Sequence, residues 1–352
     1  TTAQMVGIPF LTTSYSGDGL TSLGNKIFQG CPTDRKLGEG LGRWVVSQGN
    51  FKVGVVYPLN SYGRTLTEAF TEEVKRAGGI IIAEEGYYPG TSDLTPYLLN
   101  LRMRGWRFLF DEFLKNQYDL QGFIQWRDTF FHPKPYQLAA ETLNSGSIKL
   151  RLSSSLLDSL WQIALKEKIT GWGKSDVMSS GSEEATPVIE DTLSIPTTVY
   201  QAVLLIIEPG MVGMVAPQWA RVNFSAMLVG NEFWGDPENL ITNARYLEGM
   251  VFASSSPINV DWEKVDGDEV WGEIGSDPEL QKAFLEGERA AAMVIFSKER
   301  SHTRDDFTSV LGMIWGLETL SGQVKLLKAE RINRSVFLYR VRNGKIVPEI
   351  LE

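Results

Sequence analysis

The chain has 352 residues, 43% apolar and 11% aromatic, which is ample for one large domain or two lobes with real cores. Its formal net charge is −9 with the two signs interspersed, so it offers no concentrated basic surface for a nucleic acid. No run of about 18 apolar residues marks a membrane span, and the first residues, TTAQMVGIPFLTTS, lack the charged and apolar regions of a signal peptide.

Along the chain, VGVVY (53–57) reads as a buried strand. From Tyr62 the apolar positions Leu66, Ala69, Phe70, Val74 and Ala77 follow helical spacing. Asn60 or Ser61 is positioned to cap that helix, and Gly78-Gly79 to end it. Residues 80–83 are the next strand, which completes a strand–helix–strand unit of the size of a parallel crossover. The rhythm returns later: strand 201–207, helix 211–222, strand 226–230, helix 237–246 and strand 249–254. Such alternation predicts a doubly wound α/β sheet. Near the end, Asn343-Gly344 between two β-rich runs predicts a hairpin.

Residues 103–173 interrupt this rhythm with helical patterns and no clear strand. Trp106, Leu109, Phe110 and Phe113 share one face, and Leu152, Leu156, Leu157, Leu160 and Ile163 share another. The Ser-, Thr-, Glu- and Pro-rich stretch 174–198 reads as a flexible linker. Residues 103–198 are therefore expected to form a helical insertion and its return linker. The insertion could simply pack on the lobe, or it could be a docking surface.

The turn PLNSYGR (58–64) lies where parallel sheets bind ligands. It has one glycine and no phosphate-loop lysine, which argues against a nucleotide. A small polar or amphipathic ligand on the Tyr62 ring fits, as does Ser61 capping the helix with Tyr62 packed on it.

The run FQGCPTDRKLGEGLGRWVVSQGNFKVGVVYPLNSYGRTLTEAFTEEVKRAGGIIIAEEGYYPGTSDLTPYLLNL (28–101) resembles the type I periplasmic binding proteins, within the leucine/isoleucine/valine receptor group. The block 200–256, with QAVLLIIEPG, AMLVGNEFWGDPENL and RYLEGMVFASSSP, continues the likeness. That block is most similar to a subgroup described as penicillin-binding-protein activators, envelope lipoproteins of the same fold. The resemblance implies a two-lobed clamshell of Rossmann-like parallel sheets with the ligand between the lobes. Set against it, GIPFLTTS (7–14) looks like the last first-pass strand of lobe 1, so an N-terminally incomplete lobe 1 is expected, with the export signal in the part before Thr1. The implied division is partial lobe 1 in 1–27 and 257–352, lobe 2 in 28–102 and 199–256, and the insertion in 103–198. Hinge crossovers are expected near 24–30 and 254–258.

Carried over residue by residue, the resemblance places Tyr62, beside Ser61, against the ligand. Glu208 falls where the family has a cleft-facing residue. Glu232 falls close to the acid that binds an α-ammonium, with Asn231 and Phe233 as rivals. A carboxylate facing an ammonium makes a charge-assisted contact that selects amines. Trp234 is expected to floor the cleft, and Thr12, Thr13 and Ser14 are the candidates from lobe 1.

Catalysis finds little support. His132 and His302 are far apart, no Gly-x-Ser-x-Gly elbow occurs, and no metal cluster of standard spacing can be written. The pairs Glu72-Glu73, Glu183-Glu184 and Asp305-Asp306 read as solvated charge. No cofactor and no metal are expected. Two non-enzymatic readings stay open. One is a solute receptor for an amino-acid-like molecule that docks on a transporter. The other is an envelope protein that binds a cell-wall enzyme or another assembly through its surface. Both imply the bacterial envelope, periplasmic or associated with the outer membrane through a missing anchor or a partner.

Overall fold

The computed structural model describes residues 2–116, 197–258, 260 and 277–349. The strands in chain order are β1 (Phe10–Thr12), β2 (Ile27–Gln29), β3 (Lys52–Pro58), β4 (Ile80–Tyr87), β5 (Ala202–Leu205), β6 (Met227–Gly230), β7 (Val251–Ser254), β8 (Trp315–Leu317), β9 (Val324–Lys325), β10 (Phe337–Arg342) and β11 (Lys345–Glu349). Seven of them form one sheet in the order β11-β10-β7-β6-β5-β3-β4. β4, β3, β5, β6 and β7 run parallel, and the β10–β11 hairpin closes the β7 edge in antiparallel fashion.

Alternation along the strands decides which helices cover which face. Ala202, Leu204, Val53, Val55, Val229 and Val251 pack under the helices Asp34–Ser47 and Ser61–Arg76. Val203, Leu205, Val56, Leu228 and Phe252 face the other way, against the helices Thr95–Asn116 and Val212–Val222. With apolar residues on both sides, these strands can only sit inside a three-layer sandwich. The helix after β3 is capped by Asn60, whose side chain accepts from the Gly63 N–H at 2.8 Å, while Ser61 is its exposed first residue. At the hairpin, Asn343 (φ 51°) and Gly344 (φ 71°) adopt the left-handed pair that the Asn-Gly signal requires.

A second, smaller core gathers Phe28, Met293, Leu311, Ile314, Val324 and Leu326. It is built from the parallel pair β1–β2, the antiparallel pair β8–β9, and the helices Pro278–Glu299 and Arg304–Leu311.

The expected boundaries need three corrections. The hairpin at 337–349 is part of the large sheet through β7, so 257–352 does not belong wholly to the smaller unit. Residue 103 is no boundary either, because one helix runs from Thr95 to Asn116 with Leu98 and Leu101 buried on the sheet and Trp106 buried beyond residue 103. The segment 237–246 is two short helices, Pro237–Thr242 and Ala244–Leu247, because Asn243 between them leaves helical geometry. The rest of the insertion and linker, 117–196, lies outside the described residues, and His132 with it.

The helices Asp34–Ser47 and Ser61–Arg76 approach closely through Gly38 and Gly42. A Cβ on Gly42 would stand 2.8 Å from both the Phe70 carbonyl oxygen and the Glu73 Cβ, and one on Gly38 would strike the Leu66 carbonyl. Overpacking of this kind costs about 1–3 kcal/mol. Gly42→Leu should therefore lower the thermal melting temperature by several degrees, whereas Gly49→Ala, at an open turn, should lower it less. Equal melting of Gly42→Leu and wild type would refute this close approach.

Candidate functional site

β3 and β5 are neighbours in the sheet, yet the chain leaves them in opposite directions, towards β4 and towards β6. This is the topological switch point, where parallel sheets open a crevice at their carboxyl ends. The loop after β3 brings Tyr62 there, the end of β5 leads to Ile207 and Glu208, and β6 leads to Asn231.

Asn231 locks these three loops. Its buried amide accepts from the Ile207 N–H at 3.0 Å and donates to the Ile207 carbonyl at 2.9 Å and to the Tyr62 hydroxyl at 3.1 Å. The Tyr62 ring is tilted against Phe233 with centroids 5.3 Å apart. Burial, reinforced by the Glu232 carboxylate, drives the Tyr62 phenol well above its usual range, so it stays protonated.

After Asn231 the chain makes a single 3-10 turn, Glu232–Gly235, bounded by glycines for steric reasons. A Cβ on Gly230 would strike Trp234 and the tip of Met250, and one on Gly235 would meet Ile258 at 2.8 Å and Phe252 at 2.9 Å. The turn sends Trp234 down into the core, where its ring N–H donates to the Leu205 carbonyl at 2.8 Å. Trp234 therefore does not floor the cleft. Glu232 and Phe233 point the other way, into a cavity of about 630 Å³. Ser254, Ser255, Ser256, Ile258, Lys282 and Leu285 also line it.

Glu232 is the anionic group of this cavity. Its side chain is 16% exposed, Oε2 accepts from the Ser255 hydroxyl at 2.9 Å, and Lys282 Nζ lies 3.9 Å away. Asp34, the first residue of the Asp34–Ser47 helix, is within electrostatic reach. Burial, and then the Glu232 and Asp18 carboxylates, push Asp34 up to about 6, against a hydrogen bond from Ser16 and the nearby Lys282 charge. Glu286 is raised too, first by burial.

The cavity backs onto the strand crossings between the two cores. Arg289, 2% exposed, donates from Nη1 to the Gly30 carbonyl (3.3 Å), from Nη2 to the Ser255 carbonyl (3.4 Å) and from Nε to the Ser321 hydroxyl (2.8 Å). The Gly30 carbonyl also accepts from Asn333 Nδ2 at 3.0 Å, and Asn333 N–H donates to the Gln29 carbonyl at 2.9 Å. The segments after β2, after β7 and before β10 are thus tied to one another. The expected crossings near 24–30 and 254–258 fall on two of them.

The other candidates are placed as follows. Glu208 lies at the carboxyl edge, but its Oε2 accepts from the Gly90 N–H at 2.6 Å, tethering the turn after β4. Ser61 is exposed at a helix start, and Ser14 is exposed in the loop after β1; neither lines the cavity. Thr12 ends β1, its carbonyl accepting from the Gly30 N–H at 2.9 Å, and Thr13 follows half-buried. Sequence reasoning missed Asp34, Ser255, Lys282 and Arg289. The Asp277-Pro278-Glu279 helix start was the available signal for the last two. Cys31 is a buried thiol donating to the Tyr15 carbonyl at 3.0 Å, and burial pushes it up to about 11, which leaves it a poor nucleophile. Asp305 pairs with Lys26, and Asp306 completes a capping box with Thr303, so that acidic pair serves the fold.

Comparison with known proteins bears on the fold. Residues 2–111 match the family described as periplasmic binding protein. Among solved structures, a putative branched-chain amino acid ABC transporter from Rhodospirillum rubrum superposes with TM-score 0.59, at 12% identity, over 99% of this chain and 74% of that one. The chain has the fold of the periplasmic binding proteins. A leucine binding protein, LivK, from Thermotoga maritima shares that fold at TM-score 0.52 and 12% identity, over 99% of this chain and 74% of its own. So does a solute binding protein from R. palustris in complex with benzoate, at TM-score 0.52 and 12% identity, over 99% and 71% of the two chains. In sequence, "Leu/Ile/Val-binding protein homolog 8" of Brucella abortus (strain 2308) is 25% identical over 116 residues, 29% of this chain and 28% of its own. The match thus spans less than a third of the length of that curated relative.

Proposed function

We propose that this chain is a non-catalytic, periplasmic solute-binding protein that holds a small amine-bearing solute, such as an amino acid, in the cavity beside β6 and β7. The observation that carries this reading is Glu232, a largely buried carboxylate turned into a cavity whose walls also include Phe233, Ile258, Leu285, Lys282 and the serines 254–256. The volume falls within the range usual for small-ligand sites. A carboxylate there meets an ammonium as a charge-assisted partner, while the apolar walls receive a hydrocarbon part. The relatives, a Leu/Ile/Val-binding homologue and a leucine binding protein, support this class of solute. Delivery to an ABC transporter belongs to the same reading, supported by the ABC transporter proteins among the solved structures of this fold. The reading places the protein in the periplasm. The alternative, an envelope interaction protein acting through 103–198, rests on residues that are mostly outside those described. In this reading Tyr62 acts from behind Phe233, and Asn231 sets the loops; neither needs to touch the solute.

Two measurements test it. Titration calorimetry with the common amino acids should find a binder, and Glu232→Gln should weaken it about tenfold to a hundredfold, the value of about 1.5–3 kcal/mol for a hydrogen bond to a charged group. Unchanged affinity would remove Glu232 from the site.

The second is the pH profile. Asp34 is neutral below its raised value of about 6 and anionic above it. An anion near Glu232 favours an ammonium, so affinity should rise from pH 5 to pH 7.5, by about threefold to tenfold. Asp34 faces Glu232, Asp18, Lys282 and Ser16, and its own charge is what Asp34→Asn removes, so that variant should show a flatter profile. A profile identical to wild type would assign the titration elsewhere.

A further inference from the structure

The two ends of residues 117–196 open on one edge of the fold. The Thr95–Asn116 helix starts at the carboxyl edge of the large sheet, where Tyr97 leans on Tyr87 with ring centroids 6.0 Å apart, and runs towards the amino edge. A Cβ on Gly105 would strike Val199 and Tyr200, so at that residue the helix is already beside the chain that leads into β5. Eleven more residues follow, about 16 Å of helix, so its last three turns overhang the sheet. The described chain resumes at Thr197 on the same edge. There the Thr197 N–H donates to the Asn223 carbonyl at 2.9 Å, and its carbonyl accepts from the Ser225 N–H at 3.0 Å, just ahead of β6.

Apolar side chains stand open on this edge. Phe51 precedes β3 and Ile80 begins β4, and the Ile80 N–H donates to the Phe51 carbonyl at 2.6 Å. These neighbours are 43% and 48% exposed. Phe108 and Leu109, on the overhang, are only half-buried. Glu232 and the cavity lie at the other end of the strands.

We infer that this amino edge is the seat of residues 117–196 of the same chain, so that the insertion stands at the opposite end of the large sheet from the cavity. The segment is eighty residues long and includes Trp126, Phe130, Phe131, Leu156 and Trp161, side chains that need cover. Tethered at both ends to this edge, it meets Phe51 and Ile80 at a far higher effective concentration than a second copy could. A protein bound through the insertion would thereby leave the cavity open to solute. The placement does not depend on the solute-binding reading.

Photo-crosslinking tests it on the whole chain. Benzoylphenylalanine replaces Phe51, Ile80 or, as the control, Tyr88, which is exposed too but follows β4 at the carboxyl edge. All three positions are exposed, so the melting curves should match wild type. Crosslinks from positions 51 and 80 should reach peptides of 117–196 within one chain, and position 88 should give none to that segment. Crosslinks to 117–196 from position 88, or none from 51 and 80, would overturn the placement. So would crosslinks that join isotope-labelled to unlabelled chains in a mixture of the two, which would give this edge to a second copy.

Discussion

The carbonyl of Gly30 is the point on which the arrangement turns. It accepts from Arg289 on one side and from Asn333 on the other, and Arg289 reaches on to the Ser255 carbonyl. Three stretches of backbone that pass between the large sheet and the smaller core are joined through these few bonds. A guanidinium buried to 2% exposure is costly to place, and burial pulls Arg289 below its usual range. The cost is offset by the three acceptors that the guanidinium meets, the Gly30 and Ser255 carbonyls and the Ser321 hydroxyl. A Cβ on Gly30 would come within 3.2 Å of the Thr12 carbonyl, so the tight passage of the chain there favours glycine.

The same bonds place the cavity. Ser255 gives its carbonyl to Arg289 and its hydroxyl to Glu232, so one residue links the crossing to the carboxylate that lines the cavity. Asn231 does the complementary work on the sheet side, fixing Ile207 and Tyr62 around the switch point and leaving Glu232, the next residue, to turn outward. The position of the carboxylate is therefore set by two packed side chains and two backbone crossings rather than by a loose loop. Closure around a solute, in a fold of this kind, is a rotation about such crossings.

Much of the fold was legible because both faces of each central strand are covered. Runs such as QAVLLII and VGVVY announce a buried parallel strand, and the helix period between them fixes the layers. The Asn-Gly hairpin was equally plain, since few other residues tolerate two successive positive φ angles. Its pairing with β7 was not, because that contact spans some eighty residues and no local pattern encodes it. The site was legible in part. GNEFW draws attention as a polar break after a strand, yet which of its side chains turns into the cavity depends on the room left by Gly230 and Gly235. Trp234 was misplaced for that reason. Lys282 and Arg289 lie in a helix of mixed charge, where only tertiary contact separates a solvated cation from a buried one.

The most direct test of this account is hydrogen exchange, followed by mass spectrometry, on wild type and Arg289→Met. The substitution removes all three of the donors that join the crossings while keeping a long apolar side chain. The account predicts faster exchange in three separate stretches together, 29–33, 254–258 and 331–336, with the central strands β3 and β5 unchanged. Faster exchange confined to the helix around residue 289 would contradict it, and would mean that the crossings are held by the sheets on either side rather than by Arg289.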